Sequence, residues 1–73
     1  MAKRIVEYHI ARLKDKNPEV RINSARELGL IGDPDALEAL EELFRIETDP
    51  QVKKAAQEAG VAIYKKQKEA EDE

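Results

Sequence analysis

The sequence predicts an all-α protein, four helices arranged as two stacked antiparallel helical hairpins, which is a short α-solenoid. Three observations lead there. No segment alternates apolar and polar residues with period two, while apolar residues return at three- and four-residue steps along nearly the whole chain. An Asx-Pro pair stands before three of the four periodic segments, as Asn17-Pro18, Asp33-Pro34 and Asp49-Pro50. Asn or Asp caps the free N–H groups of a helix start, and Pro fits its first turn because it has no N–H to leave unpaired. Finally, the pattern recurs. Pro18 and Pro50, Val20 and Val52, Arg21 and Lys53, Ser24 and Ala56, and Ile31 and Ile63 all lie 32 residues apart. In the segments before them, Val6 with Leu37 and Leu13 with Phe44 recur 31 apart.

The first helix is expected from about Lys3 to Lys14, with Ile5, Val6, His9, Ile10 and Leu13 on one stripe and Glu7, Ala11 and Lys14 opposite. Asn17-Pro18 ends it and opens the second, from about Pro18 to Ile31. That helix buries a seam of Val20, Ser24, Leu28 and Ile31, with Ala25 beside it. Gly32 stops it by accepting a positive φ. Asp33-Pro34 opens the third helix, to about Glu47, which sets Leu37, Leu40, Leu43 and Phe44 against Glu38, Glu41, Glu42 and Arg45. The fourth begins at Asp49-Pro50 and carries Val52, Ala56, Ala59 and Ile63 to about Lys66. Residues 67–73 are expected to be a disordered charged tail, because acids accumulate at the end where a helix dipole favours cations. Residues 1–66 thus form one domain, with the first repeat over about 3–32 and the second over about 33–66.

The stretch "NPEVRINSARELGLIGDPDALEAL", residues 17–40, resembles the short HEAT-like repeat, the type also found in phycobilin lyases. Pro18, Val20, Arg21, Ala25, Leu28, Gly29, Ile31, Gly32, Asp33, Pro34, Ala36 and Leu40 carry the likeness. The second repeat follows the pattern more loosely, with Lys53 for the Arg and Gly60 where Leu28 stood. The resemblance implies that Val20, Arg21, Leu28, Ile31, Val52 and Ile63 pack the repeats together. It also implies that Arg21 enters a hydrogen-bond ladder between repeats with a loop Asp, either Asp15 or Asp33. Second helices of each pair would line an inner, concave surface that usually binds proteins.

Composition excludes most chemistry. The 73 residues hold one His and no Cys, too few good ligands for a zinc site. The three glycines are dispersed and follow no strand, so no phosphate-binding loop exists. Ser24, the one Ser, lies on the buried seam, where its hydroxyl bonds a backbone carbonyl one turn back. Glu38, Glu41 and Glu42 read as a solvated face. His9 reads as a half-buried core histidine with one ring nitrogen satisfied, and its rarer role would be a pH-sensitive contact. No catalytic residue, metal or cofactor is expected. A net charge of −3 and a pI near 5.2 argue against nucleic acid, although Arg21, Arg26, Lys53 and Lys54 share the second helices. No apolar run reaches the roughly 20 residues of a membrane span, and the N-terminus lacks the apolar core of a signal peptide. A cytoplasmic location follows, and the initial Met and charged tail read as a complete chain rather than an excised fragment.

Charge is also divided along the chain, +3 over residues 1–32 and −6 over residues 33–73. Such a dipole suits a head-to-tail contact or an oriented partner. On the second helix, Ile22, Arg26 and Leu30 form a four-residue ladder opposite the buried seam, a candidate contact patch. The second repeat places Lys54, Glu58 and Ala62 there instead. Two repeats are fewer than the three or so that usually stand alone, and neither end carries a polar capping helix, since Val61 and Tyr64 fall outside the fourth helix's seam. The leading function is therefore a non-enzymatic protein-interaction or scaffold module that forms a homodimer or docks on a larger assembly. The alternative that the resemblance implies is a subunit or small relative of a bilin lyase or another pigment–protein assembly factor; visible absorbance on mixing with bilin separates the two.

Overall fold

A computed structural model describes residues 2–71, with side chains from Arg4 onward. The elements are α1 (Ala2–Arg12), α2 (Pro18–Ile31), a 3₁₀ turn (Pro34–Ala36), α3 (Leu37–Ile46) and α4 (Pro50–Glu71), with no strand among the described residues. All three Asx-Pro pairs do the same local work. The Glu19 N–H donates to the Asn17 side chain at 2.9 Å, the Asp35 N–H to Asp33 at 2.8 Å, and the Gln51 N–H to Asp49 at 2.8 Å. Gly32 ends α2 with φ of 78°, and its N–H reaches the Leu28 carbonyl at 3.0 Å.

Two boundaries differ from the sequence expectation. The third helix opens as a 3₁₀ turn, closed by the Ala36 N–H on the Asp33 carbonyl at 3.1 Å, and becomes α-helical only at Leu37. The fourth does not end at Lys66 but continues to Glu71, so residues 67–71 are helix rather than tail; Asp72 and Glu73 lie outside the described residues. The physical reason is that Lys, Gln, Glu and Ala are strong helix formers, and nothing after Ile63 breaks the chain. Intrinsic propensity there outweighs the unfavourable acid placement.

α1 packs on α2 and α3 packs on α4, which gives the two hairpins; α2 against α4 is the most extensive contact and joins them. The core is Val6, Leu13, Ala25, Leu28, Ala36, Leu40, Leu43, Val52, Ala55, Ala56, Ala59 and Ile63. Fully burying a side chain such as Leu28 contributes about 2–3 kcal/mol. Ser24 is the one buried polar residue among those described. α2 and α4 approach closely because Gly29 has no side chain: a Cβ there would lie 3.0 Å from the Ala59 Cα. At 22 residues α4 is about 33 Å long, most of the molecule's 39 Å longest dimension.

One polar node fastens the hairpins. Arg21 donates from Nε to Glu47 Oε1 at 3.0 Å and from Nη2 to Glu47 Oε2 at 3.1 Å. Its Nη1 reaches the carbonyls of Asp15 at 2.8 Å and Lys16 at 3.1 Å. The expected ladder exists, but its acid is Glu47; neither the Asp15 nor the Asp33 carboxylate takes part. Asp15 contributes its carbonyl instead, while its side chain accepts the Asn17 N–H at 2.9 Å. The planar guanidinium fork suits this role, because it can serve a carboxylate and two carbonyls at once. Lys66 adds a second tie, donating from Nζ to the Leu30 carbonyl at 3.0 Å, one of the carbonyls left free at the end of α2.

Candidate functional site

The site grows out of the repeat. Superposing the repeats by sequence, 31 residues for first helices and 32 for second, shows that each buries the face its twin leaves open. In the 3₁₀ turn and α3 the buried positions are Ala36, Leu40 and Leu43; their equivalents in α1 are Ile5, His9 and Arg12, of which Ile5 is 54% exposed and the other two half-buried. In α1 and the turn after it the buried positions are Val6 and Leu13; their equivalents are Leu37, half-buried, and Phe44, 37% exposed. The second helices behave alike. Ala25, Leu28 and Gly29 are buried, whereas Gln57 and Val61 are exposed and Gly60 half-buried.

This leaves two open end faces. The face beyond the second repeat is a groove of about 650 Å³ between α3 and α4, with Leu37, Leu40, Phe44, Gly60, Val61 and Tyr64 among its lining residues. Its depth comes from Gly60. Where the first repeat inserts Leu28, the second has no side chain, and a Cβ added there would meet nothing within 4 Å. Tyr64 at 69% and Val61 at 49% exposure form the wall on α4. Lys53 Nζ lies 4.8 Å from the Phe44 ring centre, holding a cation at the groove's edge. The face before the first repeat carries Ile5 and Tyr8, the latter at 56% exposure, with Arg12 lying 5.2 Å from the Tyr8 ring centre. Of the exposed large apolar side chains among the described residues, all but Leu30 and Ile46 belong to these two faces.

The ladder Ile22, Arg26, Leu30 is not one continuous patch. Ile22 is half-buried against the core and lies in the cleft between α2 and α4, alongside Pro50, Lys54 and Ala55. The expectation that it is exposed is therefore corrected: the close approach at Gly29 brings α4 over it. Arg26 is exposed and borders the same cleft, while Leu30 stands apart at the end of α2. Of the positions expected to pack the repeats, Leu28, Val52 and Ile63 are fully buried, and Val20, Arg21 and Ile31 are half-buried.

No group of acids and His poised to hold a metal occurs among the described residues, and Glu38, Glu41 and Glu42 are exposed. His9 is half-buried, edge-on to Tyr8 at 5.1 Å between ring centres. Its Nδ1 is buried without a hydrogen-bond partner among the described residues. Among the described residues, no helix is long and apolar enough to cross a membrane. Sequence reasoning set Phe44 on the apolar side of the third helix with Leu40 and Leu43 and did not identify the groove. The signal was available in Gly60 at the place of Leu28, together with Val61 and Tyr64 off the seam.

Compared with known proteins, residues 2–59 match the family of HEAT repeats. No curated protein and no solved structure matches the chain.

Proposed function

The chain belongs to the HEAT-repeat family, and from that premise we propose that it is a cytoplasmic protein-interaction module with no chemistry of its own. Repeats of this family generally mediate protein–protein interaction or scaffolding. One observation supports the reading above others: the groove between α3 and α4, where Phe44, Val61 and Tyr64 stay exposed although the chain is short of core. An apolar recess bordered by charged side chains such as Glu41, Arg45 and Lys65 has the make-up of a protein-binding surface, an apolar centre with a polar rim. Of the concave ladder, Arg26 and Leu30 remain available for orienting contacts, and Ile22 serves chiefly to pack. The helices hold these groups in place before binding, so little ordering cost opposes association.

The reading is tested by placing a photo-reactive amino acid at Val61, and at exposed Ala11 on the outer side of α1 as control, and irradiating in the native cytoplasm. Val61 is expected to form protein adducts and Ala11 none. An equal yield from both positions, or no protein adduct from Val61, overturns the proposal.

A further inference from the structure

We infer that the partner of the groove is a second copy of this chain, stacked head to tail so that its α1/α2 end face continues the solenoid. This deepens the interaction reading and rests on it. Inside one chain, the first repeat already docks on the second through the surfaces that correspond to the two open ends, so the molecule contains its own template for the junction. Three substitutions at the two ends are complementary in size. Leu28 becomes Gly60 on the groove side, a loss of bulk; Ala36 and Ala39 become Ile5 and Tyr8 on the other face, a gain of bulk. A hollow at one end thus meets protruding side chains at the other.

The polar groups are paired too. Moving the Arg21–Glu47 link along by one chain opposes Lys53 of one copy to Asp15 of the next. Ile10 lies beside Ala39 and Leu43 in the internal cleft between first helices, and the same shift opposes Glu41 to Tyr8 and Arg12 of the second copy. Both are unlike-charge or charge–aromatic juxtapositions, and the overall division of +3 over residues 1–32 and −6 over residues 33–73 aligns the copies in the same sense. The close packing of the second helices does not repeat. The close contact of Gly29 with Ala59 becomes Val61 against Glu27, so second helices stand farther apart at the junction than inside the chain. Association is accordingly weaker than internal stacking and reversible. Because the two surfaces differ, each added copy leaves a free groove, and growth does not stop at a dimer.

The test uses two variants of the whole chain. Gly60→Lys puts a charge into the groove at a position with room for it, and Tyr8→Lys puts one on the opposite face at an exposed helical site. Helix content and melting temperature check that each is folded, with Ile5→Lys as a second variant of that face. In sedimentation velocity from micromolar to millimolar concentration, the parent protein is expected to form species beyond a dimer, and each variant alone to remain at 8.3 kDa. An equimolar mixture of the two should double in mass and go no further, since one supplies an intact groove and the other an intact opposite face. A parent that stays monomeric, a variant that still dimerises alone, or a mixture that stays monomeric overturns head-to-tail stacking. If the parent is monomeric while Val61 cross-links a foreign protein, stacking fails and the interaction module survives.

Discussion

Arg21→Ala measures what the ladder between the hairpins contributes. The Arg21 side chain is 19% exposed and that of Glu47 is 6%, so the pair is mostly removed from water. The Glu47 carboxylate accepts both guanidinium bonds and also the Asp49 N–H at 3.0 Å. Removing Arg21 leaves that carboxylate, and the Asp15 and Lys16 carbonyls, without their strongest donor. Losing one partner of a buried pair costs about 3–5 kcal/mol, and partial exposure places this one near 3. A 73-residue chain has roughly 4–11 kcal/mol of total stability. At about 4–8 °C per kcal/mol for a domain of this size, the melting temperature followed by circular dichroism should fall by about 12–24 °C. Arg21→Lys keeps the charge but not the fork and should recover only part of the loss. In a double-mutant cycle, Arg21→Ala with Glu47→Ala should cost less than the two changes added, because neither group is then left unpaired. A fall below about 4 °C would place the pair among ordinary surface salt bridges of about 0–1 kcal/mol and refute the argument.

Two glycines should respond in opposite directions to the same change. Gly32→Ala forces a Cβ into a left-handed residue, 2.4 Å from the Lys66 Cδ, and is expected to destabilise by about 1–2 kcal/mol in urea titration. Gly60→Ala adds a Cβ in open space on a helix and should stabilise by up to about 1 kcal/mol in the same assay. Leu28→Ala empties a fully buried site between the hairpins and should cost about 2–5 kcal/mol; a smaller loss would mean that the hairpins collapse onto the space.

The parts of the fold that were legible in the sequence were those fixed by local chemistry. The three Asx-Pro caps and the positive φ at Gly32 need only neighbouring residues, and the all-α, stacked-hairpin architecture followed from period and repeat. What escaped depended on distant residues. Glu47 closes α3 in sequence and reads as a surface acid; only the stacked fold brings it to Arg21. Ile22 faces away from its own helix's seam, and the approach of α4 at Gly29 decides that it is covered. Phe44 is apolar in the right period, yet neither repeat packs over the face it shares. The end of α4 was misjudged for the opposite reason: local propensity was stronger there than the charge argument against it.

α1 has α2 and the Pro34–Ala36 turn as its principal neighbours, whereas α2 and α4 hold one another along the middle of the molecule. An edge helix of this kind can breathe, detaching at a smaller free energy than whole-chain unfolding, so its amides are first to exchange with solvent. Ile5 and Tyr8 ride on it. Whatever clamps those side chains from outside therefore also restrains an edge helix, and occupancy there would register as slower amide exchange along α1.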